Sequence, residues 1–351
     1  MHTSRWFTAV VFSLLAVLVG WLPVRADAPA WKAQAKGCSK RFAQGAVWDT
    51  EHENMLLFAG ESHDGDTFDF FNDLWTYSPA KDEWKELTLK EKTAPAKRAY
   101  HGCTWDSKRK QMWIFGGCGG DFKGMDDLWS FDPETLKWAK AEPASSVAPK
   151  GRLSATLQYY PEKDWLILLG GLGGFGKDSP SAHDLWIYDI ATKKWTEKKC
   201  VAPQLWQCAS ALDAKHGLLL LHGGFDDQFA VRTETWVYDI ANDKWREPIE
   251  GKRYVDAHAG IWDEARGQMV IYGGSNLTKD AKGGYDEVWS FDVEKEKWSQ
   301  VELKGDQPGG RAYHSMVWAP KSRSMIVFGG TANQFSDPPH ENKVWTLRLP
   351  E

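Results

Sequence analysis

Six short apolar runs along the chain each end in a pair of small residues, and glycine fills most of the paired positions. The pairs are Ala59-Gly60, Gly116-Gly117, Gly170-Gly171, Gly223-Gly224, Gly273-Gly274 and Gly329-Gly330. A tryptophan follows each pair, and successive members of this tryptophan set are separated by 54, 57, 50, 53 and 56 residues. In five copies a second tryptophan lies nine residues after the first. A period of this length is typical of repeat architectures.

Each copy predicts four short β-strands separated by polar turns. In the second copy the predicted strands are Arg98–Trp105, Gln111–Phe115, Asp127–Phe131 and a segment around Trp138. Aromatic and β-branched residues dominate these segments, and Gly, Pro and Asp interrupt them, which is the pattern of strands and turns. No stretch has a sustained 3.6-residue hydrophobic period, so we expect very little helix.

Six copies of a four-stranded unit predict an all-β fold, a six-bladed β-propeller. A single four-stranded sheet buries neither face, whereas sheets packed around an axis bury both. The sixth copy ends without its second tryptophan, and the segment around Trp31 resembles the strand that holds Trp138. We therefore expect an N-terminal strand around Trp31 to complete the last blade, which closes the ring and removes an open sheet edge. This organisation predicts one domain over residues 27–351.

The repeated motifs are similar to those of the Kelch-repeat family. The resemblance rests on the paired glycines, the run Asp184-Leu-Trp-Ile-Tyr-Asp189 and the Arg-Ala-Tyr-His segments at 98–101 and 311–314. The fourth copy departs most, since Leu205 replaces the arginine and Glu234-Thr235 replaces Asp-Leu. The resemblance implies a Kelch-type propeller. Known relatives include adaptor and scaffold domains, exported sialic-acid mutarotases and copper-radical galactose oxidases, so the fold alone does not decide the function.

The amino-terminal residues have the pattern of a secretory signal peptide. An apolar segment runs from Trp6 to Val24, and Val24-Arg25-Ala26 fits a small-x-small cleavage site. We expect residues 1–26 to be removed, and the mature chain to be exported to the periplasm or the extracellular space without a membrane span. The alternative is an uncleaved anchor, since the apolar segment is just long enough to span a bilayer. Export permits disulfides, but five cysteines leave the pairing open.

Composition and charge exclude several classes of function. The 351 residues carry a net charge of −5 with acidic and basic residues interspersed, which argues against nucleic acid as the main partner. A mean hydropathy of −0.51 leaves no room for a multispan membrane protein. No complete metal-binding or cofactor-binding motif is present, so we expect no metal and no cofactor and assign no catalytic residue. We expect a monomer.

The longest recurrent loops predict where a ligand binds. The loop after each small-residue pair has 9 or 12 residues, whereas the turn between the third and fourth strands is short. Long loops on a rigid scaffold are where binding usually occurs, and these loops share one mouth with the starts of the innermost strands. The candidate ligand-binding residues are Arg41, Arg98, Tyr100, His101, Arg152, Trp206, Arg253, His258, Arg311, Tyr313 and His314.

These residue types favour binding over catalysis. Guanidinium groups suit carboxylates, and aromatic rings suit sugars or peptide side chains, so we predict a non-catalytic binding module for a protein or a glycan. Alternatively, the recurring arginines and histidines brace one blade against the next.

Two enzymatic alternatives remain open. One is a sugar-processing enzyme similar to sialic-acid mutarotases, in which the arginines hold a sugar carboxylate and a histidine or Glu61 shuttles protons. The other is a copper-radical oxidase, which the resemblance implies less strongly. Its ligands would come from Tyr100-His101 and Tyr313-His314, with His258 and Cys103 recruited.

Overall fold

Regular structure in the described part of the chain is β-strand throughout. The computed structural model describes residues 28–64, 67–89, 93–176, 179–200, 202–276, 284–332 and 342–349, and none of these residues forms a helix. No membrane-spanning helix therefore occurs among them. The predicted signal peptide, residues 1–26, lies outside the described residues. The all-β class predicted from the sequence is confirmed.

Six four-stranded antiparallel sheets form the blades of a β-propeller, and a two-stranded hairpin is inserted in the first blade. Strand β1 is Trp31–Lys36, and blade one contains β2 Gly45–Asp49, β3 Asn54–Phe58, the inserted hairpin β4 Glu61–Asp64 and β5 Thr67–Phe70, then β6 Leu74–Ser78 and β7 Glu83–Glu86. Blade two contains β8 Gly102–Asp106, β9 Gln111–Phe115, β10 Leu128–Asp132 and β11 Lys137–Lys140, and blade three contains β12 Thr156–Tyr160, β13 Trp165–Leu169, β14 Leu185–Asp189 and β15 Lys194–Glu197. Blade four contains β16 Ala209–Asp213, β17 Leu218–His222, β18 Thr235–Asp239 and β19 Lys244–Trp245; blade five contains β20 Ala259–Asp263, β21 Gln268–Tyr272, β22 Val288–Asp292 and β23 Lys297–Val301; blade six contains β24 Ser315–Ala319, β25 Ser324–Phe328 and β26 Lys343–Arg348.

In blades one to five the chain runs from the innermost strand outward, as it does over β24–β26 of blade six, and innermost strands of neighbouring blades touch. The Cys103 thiol donates to the Ala46 carbonyl at 3.4 Å, and the Thr104 hydroxyl accepts from the Tyr159 amide at 3.0 Å. Because successive strands alternate in direction, the loops after the second strands and the starts of the innermost strands lie at one end of the axis, the upper mouth. The turns after the innermost strands lie at the other end, the lower mouth.

The last blade is completed from the other end of the chain, as the sequence predicts. Strand β1 pairs antiparallel with β26, so that Trp31 lies opposite Leu347. The Trp31 side chain is 5% exposed, and its ring centroid lies 5.0 Å from that of Tyr272 in blade five. The added strand covers the outer edge of blade six, which would otherwise expose unpaired backbone groups.

The second tryptophan of a blade packs on the end of the second strand of the preceding blade. Trp138 lies 4.7 Å from Phe58, and Trp298 lies 4.4 Å from His222, both measured between ring centroids. The paired glycines allow the backbones of neighbouring blades to approach closely. Gly116 has a φ of +68°, and a Cβ there would lie 2.3 Å from the carbonyl oxygen of Arg152 in the next blade. Only glycine fits such a position without moving the backbone.

Two features differ from a simple repeat. The segment after Gly60 is predicted as a 12-residue loop, but it contains the hairpin β4–β5, in which Glu61 pairs with Phe70. The five cysteines, all within the described residues, are free thiols. The disulfides that export would permit are therefore absent from the structure, and the fold is held by inter-blade packing.

Candidate functional site

Four of the candidate arginines lie inside the blades rather than on the open surface of the upper mouth. Each is at most 3% exposed and donates to the first carbonyl of the small-residue pair in its own blade, at 2.8–3.1 Å. Three also form bidentate ion pairs with an aspartate that precedes the third strand. The four are Arg41, Arg98, Arg152 and Arg311, and the ion pairs are Arg41–Asp73, Arg98–Asp127 and Arg152–Asp184.

We call this arrangement the arginine clasp, because it ties the start of the innermost strand to the ends of the second and third strands. Each of the four guanidinium groups donates at least three hydrogen bonds to protein acceptors, and a ligand would have to compete with those acceptors. The geometry therefore favours the bracing role for these four residues, and they are left out of the binding surface proposed below.

Blades four and five build the clasp from other residues. Arg253 pairs with Glu287, and its side chain is 14% exposed. In blade four Leu205 is buried where the other blades have arginine, and Arg232 pairs instead with Glu234. The irregular motif of the fourth copy thus retains an ion pair at the same end of the blade.

The three candidate histidines are wedged between neighbouring blades. Their side chains are 6–8% exposed, and each ring lies 5.2–5.4 Å from an aromatic ring at the end of the preceding blade's second strand. The ring pairs are His101–Phe58, His258–His222 and His314–Tyr272. Burial lowers the pKa of His101 to about 3 and the pKa of His258 well below its usual value. Both rings are therefore neutral at physiological pH and brace the blades.

A closed ring of six backbone hydrogen bonds surrounds the axis at the upper mouth. One residue per blade has a left-handed φ of 50–59°, and its N–H donates to the carbonyl of the equivalent residue in the preceding blade at 2.7–3.3 Å. These residues, the axial ring, are Ala43, Tyr100, Ser154, Gln207, Ala257 and Tyr313. A left-handed conformation is unfavourable by about 1–2 kcal/mol for a non-glycine residue, and here the surrounding hydrogen bonds hold it.

Two candidate tyrosines belong to the axial ring and are brought together by it. The ring centroids of Tyr100 and Tyr313 lie 5.7 Å apart. The Tyr100 hydroxyl donates to Glu61 Oε1 at 2.7 Å, and the Tyr313 hydroxyl donates to Gln207 Oε1 at 2.8 Å. Both side chains are more than 90% buried, so they support the upper surface from beneath.

Glu61 is an unusual carboxyl group within this cluster. It is 1% exposed, and burial raises its pKa to about 7, although the hydrogen bond from Tyr100 acts in the opposite direction. Its second oxygen, Oε2, has no hydrogen-bond partner among the described residues. The Glu61 carboxyl group therefore changes between its protonated and ionised forms close to neutral pH.

Phenylalanines from the loops after the second strands cover the buried cluster. Phe68, Phe175 and Phe229 are 43%, 38% and 50% exposed. Phe122 lies between two of them, with ring centroids 5.6 Å from Phe68 and 6.2 Å from Phe175. Phe229 packs on Trp206, which belongs to the same hydrophobic cluster that Phe122 contacts. We call Phe68, Phe122, Phe175 and Phe229 the aromatic surface. Exposed apolar groups clustered in this way mark interaction sites.

The candidate Trp206 supports one side of the aromatic surface. Its ring stacks on Phe225 at 4.6 Å with an interplanar angle of 21°, and the edge of Phe229 lies 5.3 Å away. Trp206 itself is 4% exposed, so it positions Phe229 from below. The sequence carries a signal for the aromatic surface, because each of the first four long loops contains phenylalanine, but none of these phenylalanines is among the candidate residues.

The residues proposed for a copper site do not fit one. The Tyr100 and Tyr313 hydroxyls are bonded to Glu61 and Gln207, whereas His101 packs in the seam between two blades. Within the residues that the structure describes, no group of three or more His, Cys, Asp or Glu side chains is placed to hold a metal ion.

Comparison with known sequences places both halves of the chain among repeat propellers. A family profile described as KLHDC2/KLHL20/DRC7 Kelch-repeats domain matches residues 27–210. A second profile, described as Attractin/LZTR1 beta-propeller, matches residues 172–346. The two matches overlap and together extend over nearly all of the described residues.

Individual relatives are distant and longer than this chain. Multiple epidermal growth factor-like domains protein 8 of Mus musculus is 24% identical over 239 residues, which is 63% of this chain and 8% of that protein. Kelch domain-containing protein 1 of Homo sapiens is 28% identical over 165 residues, 46% of this chain and 39% of that protein. Adagio-like protein 3 of Oryza sativa subsp. japonica is 26% identical over 148 residues, 40% of this chain and 22% of that protein.

Proposed function

The chain belongs to the Kelch-repeat β-propeller family, and from that premise we propose that it is a non-catalytic protein-binding module whose docking site is the aromatic surface at the upper mouth. Kelch propellers typically act as protein-interaction modules. The single observation that carries the proposal is the cluster of exposed phenylalanines above the axial ring.

The chemistry of the aromatic surface supports a protein partner. Three phenylalanines exposed by 38–50% would bury substantial apolar area against a partner, and apolar burial stabilises a complex by about 25 cal/mol per Å². Aromatic residues held by a rigid scaffold lose little conformational entropy on binding, which favours them as anchors. The partner segment should therefore present apolar side chains to the upper mouth.

The same geometry supports binding more than sugar processing. An enzyme acting on an acidic sugar needs an accessible cation and an accessible acid or base. Arg41, Arg98 and Arg152 are buried and paired with aspartates inside the blades, and Glu61 is 1% exposed beneath the aromatic surface. The secretory pattern of residues 1–26 supports a partner outside the cytoplasm.

A capture experiment tests this proposal. Residues 27–351, immobilised, are incubated with the extracytoplasmic fraction of the source cells, and bound proteins are quantified by mass spectrometry. We expect a saturable partner that the double variant Phe175→Ser/Phe229→Ser loses by at least tenfold. The matched control is Val147→Ser, because Val147 is 57% exposed but is not part of the aromatic surface.

Folding of every variant is checked by its melting temperature. Equal capture by the double variant and the wild type would exclude the aromatic surface as the docking site. Binding to a glycan array that the double variant loses, without any captured protein, would replace the protein partner with a glycan.

A further inference from the structure

The lower mouth contains an open cavity that the upper-mouth proposal does not use. Its volume is about 450 Å³, within the range of about 300–1,000 Å³ that is usual for small-molecule sites. One residue from the same position of each innermost strand lines it, and four of the six are tryptophan. The six residues are Trp48, Trp105, Tyr159, Leu212, Trp262 and Trp318.

The four tryptophans are held in place and remain accessible. Each is half-buried, and each packs against a different inter-blade core cluster. The Trp105 Nε1 group also donates to the Thr50 hydroxyl at 3.1 Å. The aromatic groups are therefore preorganised around the opening, which reduces the entropy lost when a ligand binds.

Above the tryptophans the lining becomes polar. A second cavity of about 250 Å³ continues along the axis and shares Gln158 and Ser210 with the first. The Gln158 amide donates to the Ser210 hydroxyl at 3.0 Å, and both groups have further donor and acceptor capacity. His101, His258 and His314 also line the second cavity. The charged side chains of the described lining are Lys215 and Glu264, which have opposite signs.

We propose that the lower mouth binds a neutral carbohydrate. A sugar ring presents C–H groups on its faces, which pack on indole rings, and hydroxyl groups at its edges, which Gln158 and Ser210 can bind. The balanced charge of the lining gives no preference for an anion or a cation. A purely apolar ligand would leave the polar groups deeper in the channel without partners, which is unfavourable.

Titration calorimetry and saturation-transfer NMR test this site. Residues 27–351 are titrated with maltose, cellobiose and di-N-acetylchitobiose as neutral probes. N-acetylneuraminic acid and tetramethylammonium serve as charged probes. We expect saturable binding of at least one neutral disaccharide. Trp262→Ala and Gln158→Leu should each weaken that binding about tenfold, which corresponds to about 1.4 kcal/mol.

The control variant is Val147→Ser, which changes an exposed apolar residue outside the aromatic surface and the cavity lining and should leave sugar binding unaltered. Gln158→Leu removes the polar contact without emptying a core position, so it remains informative if Trp262→Ala fails to fold. Absence of saturable binding to all three neutral probes would overturn the proposal, as would binding of the charged probes alone. Sugar binding that both variants leave intact would place the site elsewhere. None of these outcomes bears on protein capture at the upper mouth.

Discussion

At the scale of single residues, burial changes the chemistry of groups that would be ordinary at the surface. Glu61 has a pKa of about 7 in place of 4.5, because desolvation of its carboxylate outweighs the hydrogen bond from Tyr100. The folded protein therefore keeps this proton up to about pH 7, whereas the unfolded chain releases it near pH 4.5. Between those pH values the folded state binds more protons, so the contribution of Glu61 to stability falls as the pH rises.

Replacing Glu61 with glutamine should remove this pH dependence. We expect the unfolding free energy of Glu61→Gln, relative to the wild type, to increase by about 1.4 kcal/mol per pH unit between about pH 5 and about pH 7 and to level off above that. Urea denaturation at several pH values measures the difference. Glu83→Gln at an exposed position is the matched control. A difference that does not change with pH would contradict the assigned burial of the carboxyl group.

The arginines show why the candidate site was only partly predictable at this scale. Spacing in the sequence placed Arg98 at the upper end of its blade, which is where it lies. Whether its side chain turns inward or outward depends on Asp127, which is 29 residues away, and no local pattern signals that pairing. The same limit applies to His101, because no local pattern signals its packing against Phe58 of the neighbouring blade.

At the scale of elements, the arginine clasp joins three strand ends within one blade. Hydrogen bonds from Arg98 hold the pKa of Asp127 below its usual range, although burial alone would raise it. Removing one partner leaves the other desolvated without compensation, which typically destabilises a protein by about 3–5 kcal/mol for a buried pair. Asp127 is 19% exposed, so the lower end of that range applies.

We expect Arg98→Leu to lower the unfolding free energy by about 3 kcal/mol. The double variant Arg98→Leu/Asp127→Asn should be more stable than the single variant, because the uncompensated charge is gone while Trp129 keeps its acceptor. Chemical denaturation of both variants provides the comparison. Unchanged stability combined with lost ligand binding would return Arg98 to the binding surface.

Most strands were predictable because short apolar runs and the regular tryptophan spacing mark them in the sequence. The predicted strand Gln111–Phe115 has the bounds seen in the structure. The hairpin β4–β5 was missed, because its pairing is specific to blade one and recurs in no other described copy. Repetition identifies what the copies share, whereas the aromatic surface of the upper mouth comes from loop residues outside the repeated motif.

At the scale of the whole molecule, the six blades form one closed ring. Two features close it: a strand that completes the sheet of blade six, and hydrogen bonds that link all six blades around the axis. Strand β1 closes the sheet of blade six, and the axial ring closes the axis. Each blade therefore has two neighbours, and no blade is terminal.

Truncating the closing tryptophan tests this closure. Trp31→Ala and Trp138→Ala remove equally buried side chains, each 5% exposed, and each should lower the unfolding free energy by about 3–5 kcal/mol. Only Trp31→Ala should accelerate hydrogen exchange at the β26 amides, since β26 loses the strand that covers it. Unaltered protection of β26 in Trp31→Ala would show that closure does not depend on this side chain.

The position of β1 also determines the order in which the molecule can assemble. The Gln34 amide donates to the hydroxyl of Thr346, and the two residues are 312 positions apart in the sequence. A ribosome releases β1 before blades one to five and β26 after them, so these five blades can pack in order of synthesis before β1 has its partner strand. Domains form from the amino terminus during translation, and contacts between distant segments are the slow ones to form. The ring of blades therefore closes in one late step, in which β1 pairs with β26 and the sixth hydrogen bond of the axial ring forms.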